Sequence, residues 1–296
     1  MKGTVTYRVW SRFLESVDPW ERKKIKQMRQ EGKFLYLSEL IPHFQGTSIY
    51  SFGTGGSVSN LSNLERIREK NLMIVTSGPV HFNRVYGVVP NIWLIHNTDS
   101  VKMFLKEEES DPLDFSDTFI FVPANDSYSK LYFSSRVIQQ LRDRHPEATF
   151  VVYREIFPQI DDFVIPKYFM RLGYEPLRAL HGSVLEALFI PLAGYLGISS
   201  LYFSGIDQLP TGHFWDRKFN YQSIDGKPLD FPAHENTLKI NKLLSEFCPK
   251  NGLEIFRLEK EETLLKIYPY VSFDESFSKA SAKITPATIR KDIPVF

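Results

Sequence analysis

The chain has 296 residues, 43% of them hydrophobic and 24% charged, with a formal net charge of +1. That length and apolar fraction allow one large α/β domain or two small ones and exclude a wholly disordered chain. The near-zero charge excludes the global basic field of many nucleic-acid binders, so no nucleic-acid partner is expected.

A single cysteine, Cys248, permits neither an intramolecular disulfide nor a cysteine-based zinc site. No run of about 18 apolar residues occurs, so no transmembrane helix is expected. After Met1-Lys2-Gly3 the chain turns polar and charged, without an apolar signal-peptide core. We therefore expect a cytoplasmic protein, with peripheral contact at a membrane surface and homo-oligomer formation left open.

In chain order, Asp18-Pro19-Trp20-Glu21 is a helix start, with Asp as N-cap, Pro at the first position and Glu in the first turn. This helix is strongly basic through Met28 and ends near Gly32. Its basic face suits solvent or an anionic membrane surface. Thr47 to Phe52 predicts a strand, followed by glycines and then by Leu61, Leu64 and Ile67 at helical spacing. Further strands are predicted at Leu72 to Val75, Trp93 to Ile95, Thr118 to Val122 and Phe150 to Tyr153, with a helix over Arg136 to Arg144.

Val184 to Leu196 predicts a long apolar helix, and Leu201-Tyr202-Phe203 a strand ending at Ser204-Gly205-Ile206-Asp207. The stretch over about 208–233 is rich in Gly, Pro, Asp and aromatics and is long for a plain connection, which suggests a lid over an active site. From Glu235 a helix carries Ile240, Leu243, Leu244 and Phe247 on one face, Gly252 ends it, and Leu253 to Leu258 returns as a strand. Residues after about Phe273 are polar and read as a tail. The alternation of strands and helices predicts an α/β, Rossmann-like, doubly wound, mainly parallel sheet. The organisation expected is a basic helical extension over 1–46, a Rossmann-like domain over 47–272, and a C-terminal tail over 273–296.

Three constellations could carry chemistry. The first is Phe52-Gly53-Thr54-Gly55-Gly56-Ser57. Glycines between a strand and a helix let backbone approach a phosphate, the helix start offers N–H groups, and Ser57 adds a hydroxyl. The pattern is neither Gly-x-Gly-x-x-Gly, because Val58 stands at the third glycine, nor a P-loop. A tight turn without ligand is the plainer reading. The second is the strand end Ser204-Gly205-Ile206-Asp207, where Asp207 either faces a ligand or caps a turn. The third is His234, where the lid meets a helix start, suited to general base work near neutral pH or to a purely structural role. His213 lies in the lid beside Phe214 and Trp215. His-Glu-x-x-His, Asp-x-Asp and Gly-x-Ser-x-Gly are all absent, so zinc hydrolases, metal-dependent sugar transferases and serine hydrolases find little support.

Taken in order, these segments resemble the bacterial sialyltransferases that use CMP-sialic acid, the lipooligosaccharide type. Leu196-Gly197 followed by Leu201 to Asp207 is similar to the family's Leu-Gly and Ile-Tyr-Leu-Ser-Gly-Ile-Asp. His234-Glu235-Asn236-Thr237 resembles the segment with the family's catalytic histidine, and Gly53 to Val58 stands where the family has Gly-Asn-Gly-Pro-Ser-Leu. Ser77 and Asn97 fall where the family places asparagines on the nucleotide sugar. Gly182-Ser183-Val184 matches its Ser-Gly-Val, with Arg178 upstream. The likeness spans roughly Thr47 to Leu258. Leu209 departs from it, replacing the first of two lid tyrosines, and His213, Phe214 and Trp215 lie near the second.

The resemblance implies a GT-A-variant fold and a glycosyltransferase with no metal or other cofactor. Its partners would be a CMP-linked acidic sugar as donor and a glycan or glycolipid as acceptor. It implies nucleotide-sugar contacts at Gly53, Gly55, Gly56, Ser57, Ser77, Asn97, Arg178, Gly182, Ser183, Ser204 and Gly205, with His234 as base and His213 or a lid hydroxyl on the leaving phosphate. The distantly related Kdo transferases would make Asp207 a nucleophile in a retaining reaction. A Mg²⁺- and ATP-dependent pyrophosphokinase-like enzyme, or a nucleotide-binding domain without chemistry, fits the same strand and turn pattern.

Overall fold

Alternating apolar side chains on short β-rich segments divide one sheet into two buried faces. The computed structural model describes Gln27, 31–32, 34–75, 78–95, 98–123, 135–155, 176–177, 184–206, 214–216, 233–260 and 265–289. Its strands are β1 (Phe34–Tyr36), β2 (Ser48–Phe52), β3 (Leu72–Val75), β4 (Ile92–Leu94), β5 (Phe119–Pro123), β6 (Thr149–Glu155), β7 (Pro176–Leu177), β8 (Ser200–Ser204) and β9 (Glu254–Arg257). They pair in the order β1-β6-β5-β4-β3-β2-β8-β9, with β7 added to β6. Every strand pair is parallel. The expected Rossmann-like sheet is present, and among the described residues all of its named strands pair in parallel.

The helices are α1 (Ile41–Phe44), α2 (Gly78–Tyr86), α3 (Thr98–Glu108), α4 (Arg136–Arg144), α5 (Ile190–Tyr195, preceded by a π-helical turn Leu185–Phe189), α6 (Ala233–Phe247), α7 (Phe273–Lys279) and α8 (Pro286–Ile289). Period-2 alternation sends Ile49, Met73, Val75, Leu201 and Phe203 to one face, against Phe44, Phe189, Leu192 and Leu244. Tyr50, Phe52, Leu72, Ile74 and Tyr202 point to the other face, where Val58, Leu64, Ile67, Phe82 and Phe273 cover them. Farther along that side Trp93 and Ile120 pack on Val101, Phe104, Ile138 and Leu141. Trp93 is fully buried and lies 4.2 Å from the Phe104 ring. Burying an aromatic or aliphatic side chain of this size contributes about 1.5–3 kcal/mol. Helices on both faces make the sheet doubly wound.

Most of the predicted elements lie within a residue or two of the observed bounds, while α1, α2, α3 and β7 were not predicted. Three expectations differ. Strand β1 lies inside the stretch read as a helical extension; the basic helix itself lies mostly outside the described residues. Leu64 and Ile67 sit on a 3₁₀ turn, Leu64–Glu69, and Leu61 caps the end of an earlier one, Gly56–Asn60; none of the three is on an α-helix. Their spacing of three is the period of a 3₁₀ turn, and the Ser/Asn-rich first turn bonds its own backbone, as Ser59 Oγ does to the Gly56 carbonyl at 2.7 Å.

The third difference is the expected tail. Its described part, to Ile289, folds along the N-terminal edge of the sheet. Ser281 N donates to Ser48 Oγ at 2.7 Å, and Ile284 N to Asn71 Oδ1 at 2.8 Å. Asn91 Nδ2 donates to the Ile284 carbonyl at 2.7 Å and Lys283 N to the Glu69 carbonyl at 2.8 Å. Asn71 and Asn91 are buried. Side-chain amides thus satisfy strand-edge backbone groups, and periodicity alone carries no trace of such pairing.

Candidate functional site

From β2 the chain steps to β3 on one side, while β8 lies against β2 on the other. This is the topological switch point, and ligands of open α/β sheets bind beyond the carboxyl ends of strands there. The glycine turn follows β2 and Gly205 follows β8, so tertiary structure brings the first two constellations together. Gly53 N donates to the Ser204 carbonyl at 2.9 Å, and Gly55 N to the Gly205 carbonyl at 2.8 Å.

A Cβ on Gly53 would stand 2.3 Å from the Gly205 carbonyl oxygen. Gly205 has φ +72°, and a Cβ there would lie 2.5 Å from Val58 Cγ2 and 2.8 Å from the Gly53 oxygen. Both glycines are therefore required by the approach of two strand ends. This differs from the expectation in one respect. The Gly53 and Gly55 amides serve the neighbouring strand, and the turn leads into a five-residue 3₁₀ turn, which supplies no α-helix dipole.

Glu259, just past β9, completes the junction. Its Oε1 accepts from Gly205 N at 2.7 Å and from Ser57 Oγ at 2.9 Å, and Gly205 N also lies 3.1 Å from Ser57 Oγ. The Ser57 hydroxyl, expected to serve a phosphate, donates to Glu259 here. Glu259 is 7% exposed. Burial raises its carboxyl above the usual carboxylate range, opposed by the Ser204 and Ser57 hydroxyls and by its own and the Gly205 amide.

An acid whose folded pKa is raised adds stability that is complete below its unfolded value and is lost as pH rises through the folded value. Urea midpoints of wild type and Glu259→Gln should therefore diverge with rising pH, the glutamine variant falling less. Coincident curves would show that ionising Glu259 costs nothing. The sequence reading missed this residue, although the strand-end argument applied to Asp207 reaches it from Leu253 to Leu258.

Of the segment read as a lid, Phe214, Trp215 and Asp216 are described, together with Ala233, where α6 begins. Phe214 N donates to the Thr54 carbonyl of the glycine turn at 3.0 Å. The Phe214 ring packs on Phe82 and Tyr86 of α2. Trp215 stacks on His81 with centroids 3.8 Å apart and planes 4° from parallel, and His81 Nε2 lies 3.0 Å from Glu107 Oε2 of α3. The aromatic pair beside the lid histidine is thus an anchor onto the turn and α2. His81 was not singled out in the sequence, because its stacking partner is more than a hundred residues away.

Gly53, Gly55, Gly56, Ser57, Ser204 and Gly205 come together at the junction. His234 lies in the first turn of α6. Asp207, His213, Ser77, Asn97, Arg178, Gly182 and Ser183 lie outside the described residues. Among the described residues no group of three or more His, Cys, Asp or Glu could hold a metal ion. No helix among them is long and apolar enough to cross a membrane.

No protein-family model matches this chain, and no curated protein matches it. Solved structures do. The sialyltransferase CstII from Campylobacter jejuni, in complex with cytidine-5'-monophosphate, is similar at 14% identity and TM-score 0.41, over 76% of this chain and 85% of that one. The same enzyme in complex with CMP-3FNeuAc is similar at 13% identity and TM-score 0.44, over 76% and 86%. At this identity the likeness is one of fold.

Proposed function

We propose that this chain is a metal-independent, sialyltransferase-like glycosyltransferase. It takes an acidic sugar, sialic acid or a related ulosonic acid such as Kdo, from a CMP-linked donor to a glycan of a surface polysaccharide or glycolipid. The observation that supports it best is the meeting of the Gly53–Ser57 turn with the Ser204–Gly205 strand end at the β2/β8 switch point.

In this reading the turn, with Asn97 and Ser183, holds CMP, and Ser77, Arg178 and Gly182 contribute to the nucleotide-sugar site. His234 takes the proton of the acceptor hydroxyl as its oxygen bonds to the anomeric carbon. The bond from that carbon to the phosphate oxygen breaks, and CMP leaves with the electron pair. His213 or a lid hydroxyl stabilises the departing phosphate. CMP is a good leaving group, so the step does not require a metal.

Thermal unfolding with CMP, UDP, NAD, or ATP plus Mg²⁺ tests the reading. A ligand at about 100 times its Kd adds about 2.7 kcal/mol, a clear rise in Tm. The expected result is a rise with CMP that EDTA leaves unchanged, followed by turnover of CMP-sialic acid or CMP-Kdo. A rise only with ATP and Mg²⁺ would overturn it in favour of a kinase-like enzyme. Product stereochemistry then separates attack assisted by His234 from a covalent route through Asp207.

A further inference from the structure

We propose that Glu259 is a positioning residue for the ligand of the glycine turn: its buried carboxyl group joins the turn at Ser57 to the end of β8 at Gly205 and so sets the turn's shape before a ligand arrives. The proposal rests on the reading that this junction receives a CMP-linked donor.

Three strand ends meet at one oxygen. Ser57 belongs to the turn after β2, Gly205 follows β8, and Glu259 follows β9, with Oε1 shared between the Ser57 hydroxyl and the Gly205 amide. Gly205 N also reaches Ser57 Oγ, which closes a triangle of three hydrogen bonds. The triangle fixes the hydroxyl rotor, because the Ser57 proton points to Glu259 and its oxygen faces the Gly205 amide. The Gly53 and Gly55 amide bonds tie the same turn to the end of β8 from its other side.

The place of Glu259 in the ladder explains why a side chain is needed. Leu258 N donates to the Phe203 carbonyl, the last rung between β8 and β9. A further rung would turn the Gly205 amide to the β9 backbone. It meets the Glu259 carboxyl instead, so the sheet ends here and the two strand ends are free to diverge at a positive-φ glycine.

The carboxyl stands on a fixed base. The Arg257 guanidinium donates to the Glu259 carbonyl, and Arg257 Nε donates to the Tyr268 carbonyl at 3.1 Å. A carboxyl on a residue only 7% exposed is costly to keep, since burial disfavours its charged form. A leucine would avoid that cost but would leave the Ser57 hydroxyl and Gly205 amide without this acceptor. The arrangement suits a group that holds other groups in place.

Calorimetric titration with CMP tests the proposal on wild type, Glu259→Gln, Glu259→Asp and Glu259→Ala, each well below its own Tm. Under those conditions a mere loss of stability leaves affinity unchanged. Glutamine keeps the shared acceptor oxygen, so E259Q should bind within about threefold of wild type. Alanine removes the acceptor and aspartate withdraws it by one methylene, so both should bind about tenfold more weakly or worse, the worth of a well-made hydrogen bond. If E259A fails to fold, the contrast between E259Q and E259D decides. Wild-type affinity in E259D and in any folded E259A overturns the proposal, as does an equal loss in E259Q, where the acceptor is retained. If wild type itself does not bind CMP, the functional reading fails and takes the proposal with it.

Discussion

Replacing His234 with alanine is expected to lower sugar transfer about 10²- to 10⁴-fold while the fold and CMP binding are kept. His234 lies in the first turn of α6, Ala233–Phe247. A helix that carries the chain from the end of one parallel strand back to the start of the next begins at the carboxyl edge of the sheet. The residue therefore enters the fold on the edge where the glycine turn and Gly205 lie. A general base acts in the transition state, so the loss should fall on kcat more than on donor affinity. Initial rates on a CMP-linked donor, with circular dichroism to confirm folding, make the measurement. A folded His234→Ala variant with full activity would remove His234 as the base and shift attention to Asp207.

Gly205→Ala is expected to destabilise the protein by about 2–5 kcal/mol, combining the cost of a left-handed residue with a side chain and that of forcing a methyl group into a packed site. The φ of +72° strains any L side chain, and the new Cβ would meet Val58 Cγ2 at 2.5 Å and the Gly53 oxygen at 2.8 Å. Neither neighbour yields cheaply, since Val58 is fully buried and the oxygen belongs to backbone. Urea unfolding of the variant should show a lowered midpoint with an unchanged slope. A midpoint within about 0.5 kcal/mol of wild type, the range of an indifferent surface change, would show that β2 and β8 separate easily at their ends. Gly87 carries a positive φ of +65°, but a Cβ there would meet nothing within 4 Å. Its alanine variant should therefore cost less than that of Gly205 and makes a good control.

The two halves of the junction differ in how readily the chain discloses them. Gly53 to Ser57 and Ser204 to Asp207 each follow an apolar strand, and short-range pattern suffices to mark both as strand ends. Glu259 ends a third strand, but a lone glutamate after an apolar run looks like ordinary surface charge. Only its burial against Ser57 and Gly205 distinguishes it. His81 is a similar case. It sits on a helix that the pattern did not reveal, and its meaning depends on Trp215 and Glu107, which come from other elements.

What the amino-acid order determined by itself is the alternation of strands and helices, the glycines at strand ends and the resulting parallel α/β class. These are local properties: period-2 apolar runs, a period of 3.6 on α6, and Gly and Pro at the breaks. What only the tertiary structure decided is the pairing. It set β8 beside β2, so that two distant glycines meet and the Gly53 amide serves the end of β8. It brought a buried carboxyl from beyond β9 into that junction, and it laid the polar stretch after Phe273 along the opposite edge of the sheet. Those outcomes depend on hydrogen bonds between groups some 50 to more than 230 residues apart in the chain. Local periodicity carries no information about such partners, because what selects them is the need to satisfy every buried backbone group once the sheet has formed.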